Sequence, residues 1–112
     1  MLTVDRLPRP GASRVAFFQH GVLDSSYSWV ANGAHGSLAF RAYDSGCDVF
    51  LGNFRGAMSS RHHADEAVQG DPRRFWDFSV NDHAWSDLPA MLRRIVELKR
   101  VELLLRLSLI HI

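Results

Sequence analysis

The sequence predicts an α/β fold, a mostly parallel sheet flanked by helices, and three observations carry that prediction. Two short, nearly continuous apolar runs, Val15 to Gln19 and Cys47 to Leu51, suit strands buried on both faces. A Ser-, Asn- and Gly-rich loop and then a helix-patterned segment lie between them, which is the strand–loop–helix–strand order of a βαβ unit. Further on, Trp85, Leu88, Leu92, Ile95 and Leu98 recur at helical spacing, the stripe of a helix packed on a sheet.

Composition sets outer limits. The 112 residues make one domain at most, and a content of 46% hydrophobic and 11% aromatic residues is that of a chain that folds. Thirteen basic against twelve acidic residues leave a net charge of +1, so no long-range field favours nucleic acid or an anionic membrane. The lone cysteine, Cys47, sits inside an apolar run; it has no internal disulfide partner and reads as a small buried hydrophobe. No apolar run reaches the length of a membrane span, and no basic-then-apolar leader stands at Met1, although a missing N-terminus could hide one.

The elements follow in order. Leu2, Val4 and Leu7 alternate weakly as a piece of strand, which Pro8-Arg9-Pro10-Gly11 breaks as a turn. Val15 to Gln19 delivers His20 and Gly21 to a strand's carboxyl end, where open α/β sheets place their ligands. The loop from Asp24 to Gly36 is expected to be pinned by burial of Tyr27 and Trp29. Ser37 is a plausible N-cap for a short helix, Leu38 to Ser45, with Gly46 as its left-handed stop. Asp87 reads as the cap of the later helix with Pro89 in its first turn, and Arg93, Arg94, Glu97 and Lys99 take its outer face.

The stretch that organises the chain is Phe17 to Ser26. Acyl-transfer chemistry needs a donor for a developing negative oxygen, and a backbone N–H held at a sharp turn after a buried strand supplies one. Gly21 provides a turn without a Cβ, so the Val22 amide can face a cavity as the oxyanion donor, with His20 and Leu23 completing the loop. A strand ending in an ordinary loop is the alternative reading. Gly52-Asn53-Phe54-Arg55-Gly56 should lie beside this loop; Arg55 suits a structural ion pair better than a ligand anchor, because a neutral ester needs no cation. Ser59 to Glu66 gathers histidines and acids, yet adjacent His62 and His63 cannot both face one ion on a regular element, so no metal site is expected. Phe75-Trp76-Asp77-Phe78-Ser79 is the densest aromatic cluster; Phe75 and Trp76, like Trp29, are candidates for an apolar substrate pocket, with core packing the plainer role. Capping accounts for Asp82 and Asp87 without a catalytic role.

Several blocks in register carry a resemblance: Gln19-His20-Gly21-Val22-Leu23-Asp24-Ser25-Ser26, Trp29 to Gly33, Ser37 to Phe40, Gly46 to Gly56, Phe75 to Ser79, and Asp87-Leu88-Pro89-Ala90-Met91. Together, over roughly Leu2 to Glu97, they resemble the acid lipase family of α/β-hydrolases, which includes the gastric and lysosomal acid lipases. The resemblance implies the early strands of a predominantly parallel sheet and aligns Val22 with the residue whose amide forms half the oxyanion hole. It also implies a lipid ester substrate, no cofactor, and a secreted or lysosomal location.

The departures from that pattern matter as much. The family's nucleophile sits on a Gly-His-Ser-Gln-Gly elbow one strand after the Asp-Leu-Pro helix, with its acid and histidine base further on, and no Gly-x-Ser-x-Gly occurs in this sequence. From about Arg100 the match fades, and Leu107 to Ile112 resembles the in-frame translation of a transposase mosaic-end sequencing adapter; a final β-strand over Leu103 to Ile112 is the alternative. The expectation is thus a partial hydrolase domain over 1–106, inactive alone, followed by a foreign tail over 107–112. Two functions remain in view: a lipid ester hydrolase whose Ser, Asp and His lie in further sequence, and a non-catalytic, hydrolase-derived module that binds lipid or protein.

Overall fold

Strand β1 (Thr3–Leu7) opens the chain in the computed structural model, which describes the backbone of residues 1–110 and the side chains of residues 1–105. Strand β2 (Arg14–Gln19) leads through a 3₁₀ turn, Ser26–Trp29, and two helices, α1 (Gly33–Gly36) and α2 (Leu38–Asp44), into strand β3 (Cys47–Asn53). A second 3₁₀ turn, Met58–Ser60, precedes three short helices, α3 (Glu66–Gln69), α4 (Pro72–Phe75) and α5 (Val80–Asp82). A π-helical turn, His83–Asp87, then joins the long helix α6 (Leu88–Ile110).

The strands form one sheet in the order β1-β3-β2. Strand β2 pairs parallel with β3, setting Phe17 opposite Phe50, which is the expected βαβ unit. Strand β1 runs antiparallel to β3, so the sheet is mixed rather than mostly parallel. Only β3 is buried along nearly its whole length; β2 lies at an edge and its first residues, Val15 among them, are exposed, which corrects the expectation of burial on both faces. Its apolar composition does not distinguish an edge from a centre, because neighbours far along the chain decide that.

Alternation along β3 divides the two faces. Val49 and Leu51 pack with Ala39 of α2, joined by Leu7, Phe18, Trp29, Ala42 and Tyr43. Phe50 and Gly52 face the other way, where a Cβ on Gly52 would come within 3.1 Å of the Met91 sulfur of α6. Helices thus cover both faces. Trp29 belongs to the first layer, 5.1 Å from the Phe18 ring, whereas Tyr27 is exposed and pins nothing.

Asp48 shares the α6 face and is fully buried in a four-charge cluster. Its carboxylate accepts from Arg6 Nε and Nη2 at 2.9 and 2.6 Å, from Lys99 Nζ at 2.6 Å and from the Arg9 amide at 3.2 Å. Glu102 closes the ring, accepting from Arg6 Nη1 at 2.7 Å and Lys99 at 3.3 Å. A polar patch at the other end of β3 uses Asn53, whose Oδ1 accepts from the Ser26 amide at 2.9 Å and whose Nδ2 donates to Asp5 at 3.2 Å.

Helix α6 corrects its expected phase. Of the expected stripe Ile95 is buried and Leu88 and Leu98 are half-buried, but Trp85 and Leu92 are exposed; Asp87 of the preceding turn and Met91 are buried instead, and Lys99, expected on the outer face, continues the inner one with Glu102. The helical run begins at a capping box, in which the Ser79 hydroxyl accepts from Asn81 N–H and Asp82 accepts from Ser79 N–H. Asp82 therefore caps as expected, but Asp87 does not. The helix continues through the backbone of Ile110, where a final strand was the alternative. The side chains of the 107–112 tail lie outside the described residues.

Ser37 precedes α2 in extended backbone, yet its hydroxyl caps nothing and is buried without a partner among the described residues, while Gly46 stops the helix at φ +103° as expected. A true cap would lose about 1 kcal/mol on Ser37→Ala. Here the variant removes an unsatisfied buried hydroxyl, so the expected urea midpoint is unchanged or higher.

Candidate functional site

His20, 5% exposed, is the first residue past the carboxyl end of β2, and both of its ring nitrogens are committed. The Phe54 amide donates to Nε2 at 3.1 Å, so Nε2 carries no proton. The proton therefore sits on Nδ1, which donates to the Gly21 carbonyl at 2.6 Å. That carbonyl also accepts from the Asp24 amide at 3.3 Å, closing a four-residue turn. The Gly21–Val22 peptide is trans, so pulling its carbonyl toward the imidazole aims the Val22 N–H the opposite way. That amide makes no hydrogen bond among the described residues.

The unusual dihedral falls on Leu23, at φ +64° with its side chain fully exposed, and not on Gly21 as the sequence suggested. Position three of a type II turn takes positive φ, normally on glycine; a leucine there is strained and presents its side chain to solvent. Gly21 contributes space instead, since a Cβ on it would meet nothing within 4 Å.

Two further loops complete a cleft of about 290 Å³. His20 to Ser25 line one part; Phe54 to Met58 and Arg61 come from beyond β3; Trp76, Phe78 and His83 come from the segment before α6. The Phe54 loop lies beside the first, as expected, through the His20 bond. Gly56, at φ +87°, lets the aromatic wall lie on the main chain: a Cβ there would come within 2.7 Å of the Trp76 ring and 2.8 Å of Phe78. Of the three aromatic candidates only Trp76 lines this cleft; Trp29 is in the core layer, and Phe75 lines a separate hollow of about 590 Å³ with His62 and Arg74.

Arg55 is a structural residue. Its Nε and Nη2 reach Asp87 Oδ1 at 2.9 and 2.6 Å, its own amide donates to Asp87 Oδ2 at 3.0 Å, and the hydrogen bond with that buried carboxylate raises the guanidinium pKa further. The pair fastens the second loop to the start of α6.

Sequence reading passed over His83. It is buried, stacks on Phe54 at 4.4 Å with the rings 4° apart, and donates Nε2–H to the Arg55 carbonyl at 3.3 Å. The remaining Nδ1 has no partner among the described residues. The available signal was spacing by four, His83, Asp87, Met91 and Ile95, which a search for apolar periodicity alone does not register. Among the described residues no three of His, Cys, Asp and Glu gather as metal ligands.

The chain is 44% identical over 92 residues to the human (Homo sapiens) lysosomal acid lipase/cholesteryl ester hydrolase, a match covering 82% of this chain and 22% of that protein. It is 41% identical over 87 residues to the gastric triacylglycerol lipase of Rattus norvegicus, covering 78% of this chain and 22% of that one. It is 39% identical over 97 residues to Lipase 1 of Drosophila melanogaster, covering 87% and 21%. No family model matches. The similarity to acid lipases read from the motif blocks thus extends over most of the chain, which spans about a fifth of the length of these curated relatives.

Proposed function

We propose that this chain is the oxyanion-side portion of a lipid ester hydrolase with the α/β-hydrolase fold, acting on triacylglycerol- or cholesteryl ester-like substrates. The observation that carries the reading is the Gly21–Val22 peptide, whose carbonyl is held by His20 and whose amide has no partner among the described residues, in a loop that lines the cleft. When a nucleophile adds to an ester carbonyl, the oxygen becomes an anion, and a fixed N–H stabilises it more strongly than the neutral ester it came from. The mixed sheet with helices on both faces, and the lipase relatives, support the same reading. The nucleophile, its base and its acid come from sequence outside these 112 residues, which contain no Gly-x-Ser-x-Gly, so the chain alone is inactive.

Sequencing genomic DNA and a full-length transcript across the codons for Val101 to Ile112, then expressing the complete frame, tests this. The expected frame continues into a Gly-x-Ser-x-Gly elbow, and the complete protein hydrolyses p-nitrophenyl esters and emulsified triacylglycerol, which residues 1–106 do not. A genomic frame that stops after Ile112 sinks the hydrolase reading. A second reading then stands, a non-catalytic lipid-binding module, favoured by the exposure of Leu23, Met58 and Trp76 around the same cleft.

A further inference from the structure

We propose that the wall of Trp76 and Phe78, seated on Gly56, is the subsite for the acyl chain of the ester, and that Trp76 determines which chains fit. The assignment of an acyl chain rests on the oxyanion reading of Val22; the wall itself stands on its own geometry. Trp76, Phe78 and Val22 line one cleft, so a carbonyl at the Val22 amide leaves its substituents within reach of the rings.

The wall is built, not incidental. Gly56 lacks the Cβ that would push both rings away, and its positive φ suits glycine, so ring and backbone approach each other only because of this residue. Trp76 is braced by the edge of Phe75 at 5.1 Å and by Phe78 at 5.8 Å, with the Arg61 guanidinium 5.4 Å from its ring, yet it is 48% exposed. A rigid indole left open to water gains free energy when a chain of methylenes covers it. The adjoining floor, Phe54, is apolar, and the charged residues of the cleft, Asp24, Arg55 and Arg61, lie on its other parts. Phe54 lies between His20 and His83, at 5.3 and 4.4 Å; both His20 nitrogens are bonded, and the open Nδ1 of His83 is buried. At about 290 Å³ the cleft is at the small end of ligand pockets, with room for a single chain.

The test uses the full chain and a methyl ester of a bromine-tipped dodecanoic acid, whose bromine quenches indole fluorescence on contact. In a Trp29→Phe/Trp85→Phe variant, where Trp76 is the sole indole, quenching saturates with probe concentration. In Trp76→Phe, which keeps an aromatic ring and hence the packing, the two remaining indoles stay bright. Gly56→Ala displaces the wall and weakens the probe about tenfold, with circular dichroism confirming the fold. Quenching that never saturates, or that is as strong in Trp76→Phe as in the parent chain, overturns the subsite. The two proposals fail separately: saturable quenching with no ester turnover by the complete protein removes the catalytic reading and leaves the chain site. Turnover whose chain-length profile is unmoved by Trp76→Ala does the reverse.

Discussion

With Val22 as the oxyanion donor proposed above, Val22→Pro in the complete protein is expected to lower kcat on esters about a hundred- to a thousandfold, the cost of one lost donor, and to leave the melting temperature nearly where it was. Proline has no N–H, so the substitution deletes the donor and little else. The turn tolerates it, because Val22 is the second residue of the Gly21–Asp24 turn, the position where proline is favoured. The preceding residue is Gly21, which has open space where a Cβ would be and accommodates the restriction that proline places on its neighbour. A parallel melting curve separates loss of catalysis from loss of fold. If kcat is retained, the donor is elsewhere and the oxyanion assignment of Val22 fails. If kcat and KM change together with a lowered Tm, the loop is structural.

Asp48→Asn costs about 3–5 kcal/mol of folding stability, the range for breaking one partner out of a buried ion pair. The variant leaves Arg6 and Lys99 with Glu102 as their only acid in a cluster whose centre is fully buried. Urea unfolding measures the loss, and a shift below about 1 kcal/mol would mean that the charges are solvated. The pH dependence has a definite sign. Burial alone would raise the Asp48 carboxyl, but hydrogen bonds from Arg6, Lys99 and the Arg9 amide outweigh it and bring the pKa from 3.8 down to about 2. Arg6 first, and Lys99 after it, lower Glu102 as well. A folded pKa below the unfolded one means that the stabilisation is complete well above the unfolded pKa of 3.8, from about pH 5, and is lost as pH falls toward about 2. The parent chain therefore keeps this contribution flat from neutrality to about pH 5, and Asp48→Asn removes the share of the acid-limb slope that Asp48 supplies while the share from Glu102 remains.

What the sequence reveals here is what neighbours along the chain decide. Gly46 ends α2 because one residue must take positive φ there, and the run Cys47–Leu51 forms a strand because its local composition suits one, its burial from Asp48 on being set by β1 and β2 on either side. Helix α6 shows the limit. Its apolar residues suggest a face through Leu88 and Leu92, but the buried face begins at Asp87 and ends at Lys99 and Glu102. Those charged residues turn inward because Arg55, Arg6 and Asp48 meet them there, from 32 to 96 residues away. Local periodicity carries no information about such partners. His83 was missed for the same reason, and the strain on Leu23 becomes visible only once the Asp24 amide is seen to close the turn.

The cluster around Asp48 also orders events during synthesis. Asp48 leaves the ribosome with Arg6 already made, but Lys99 and Glu102 follow about fifty residues later. Until then the central strand holds an acid with a single cation, and one face of the sheet has no helix over it. One face of the nascent sheet therefore stays uncovered until α6 is made, and transiently exposed surface of that kind is prone to aggregate.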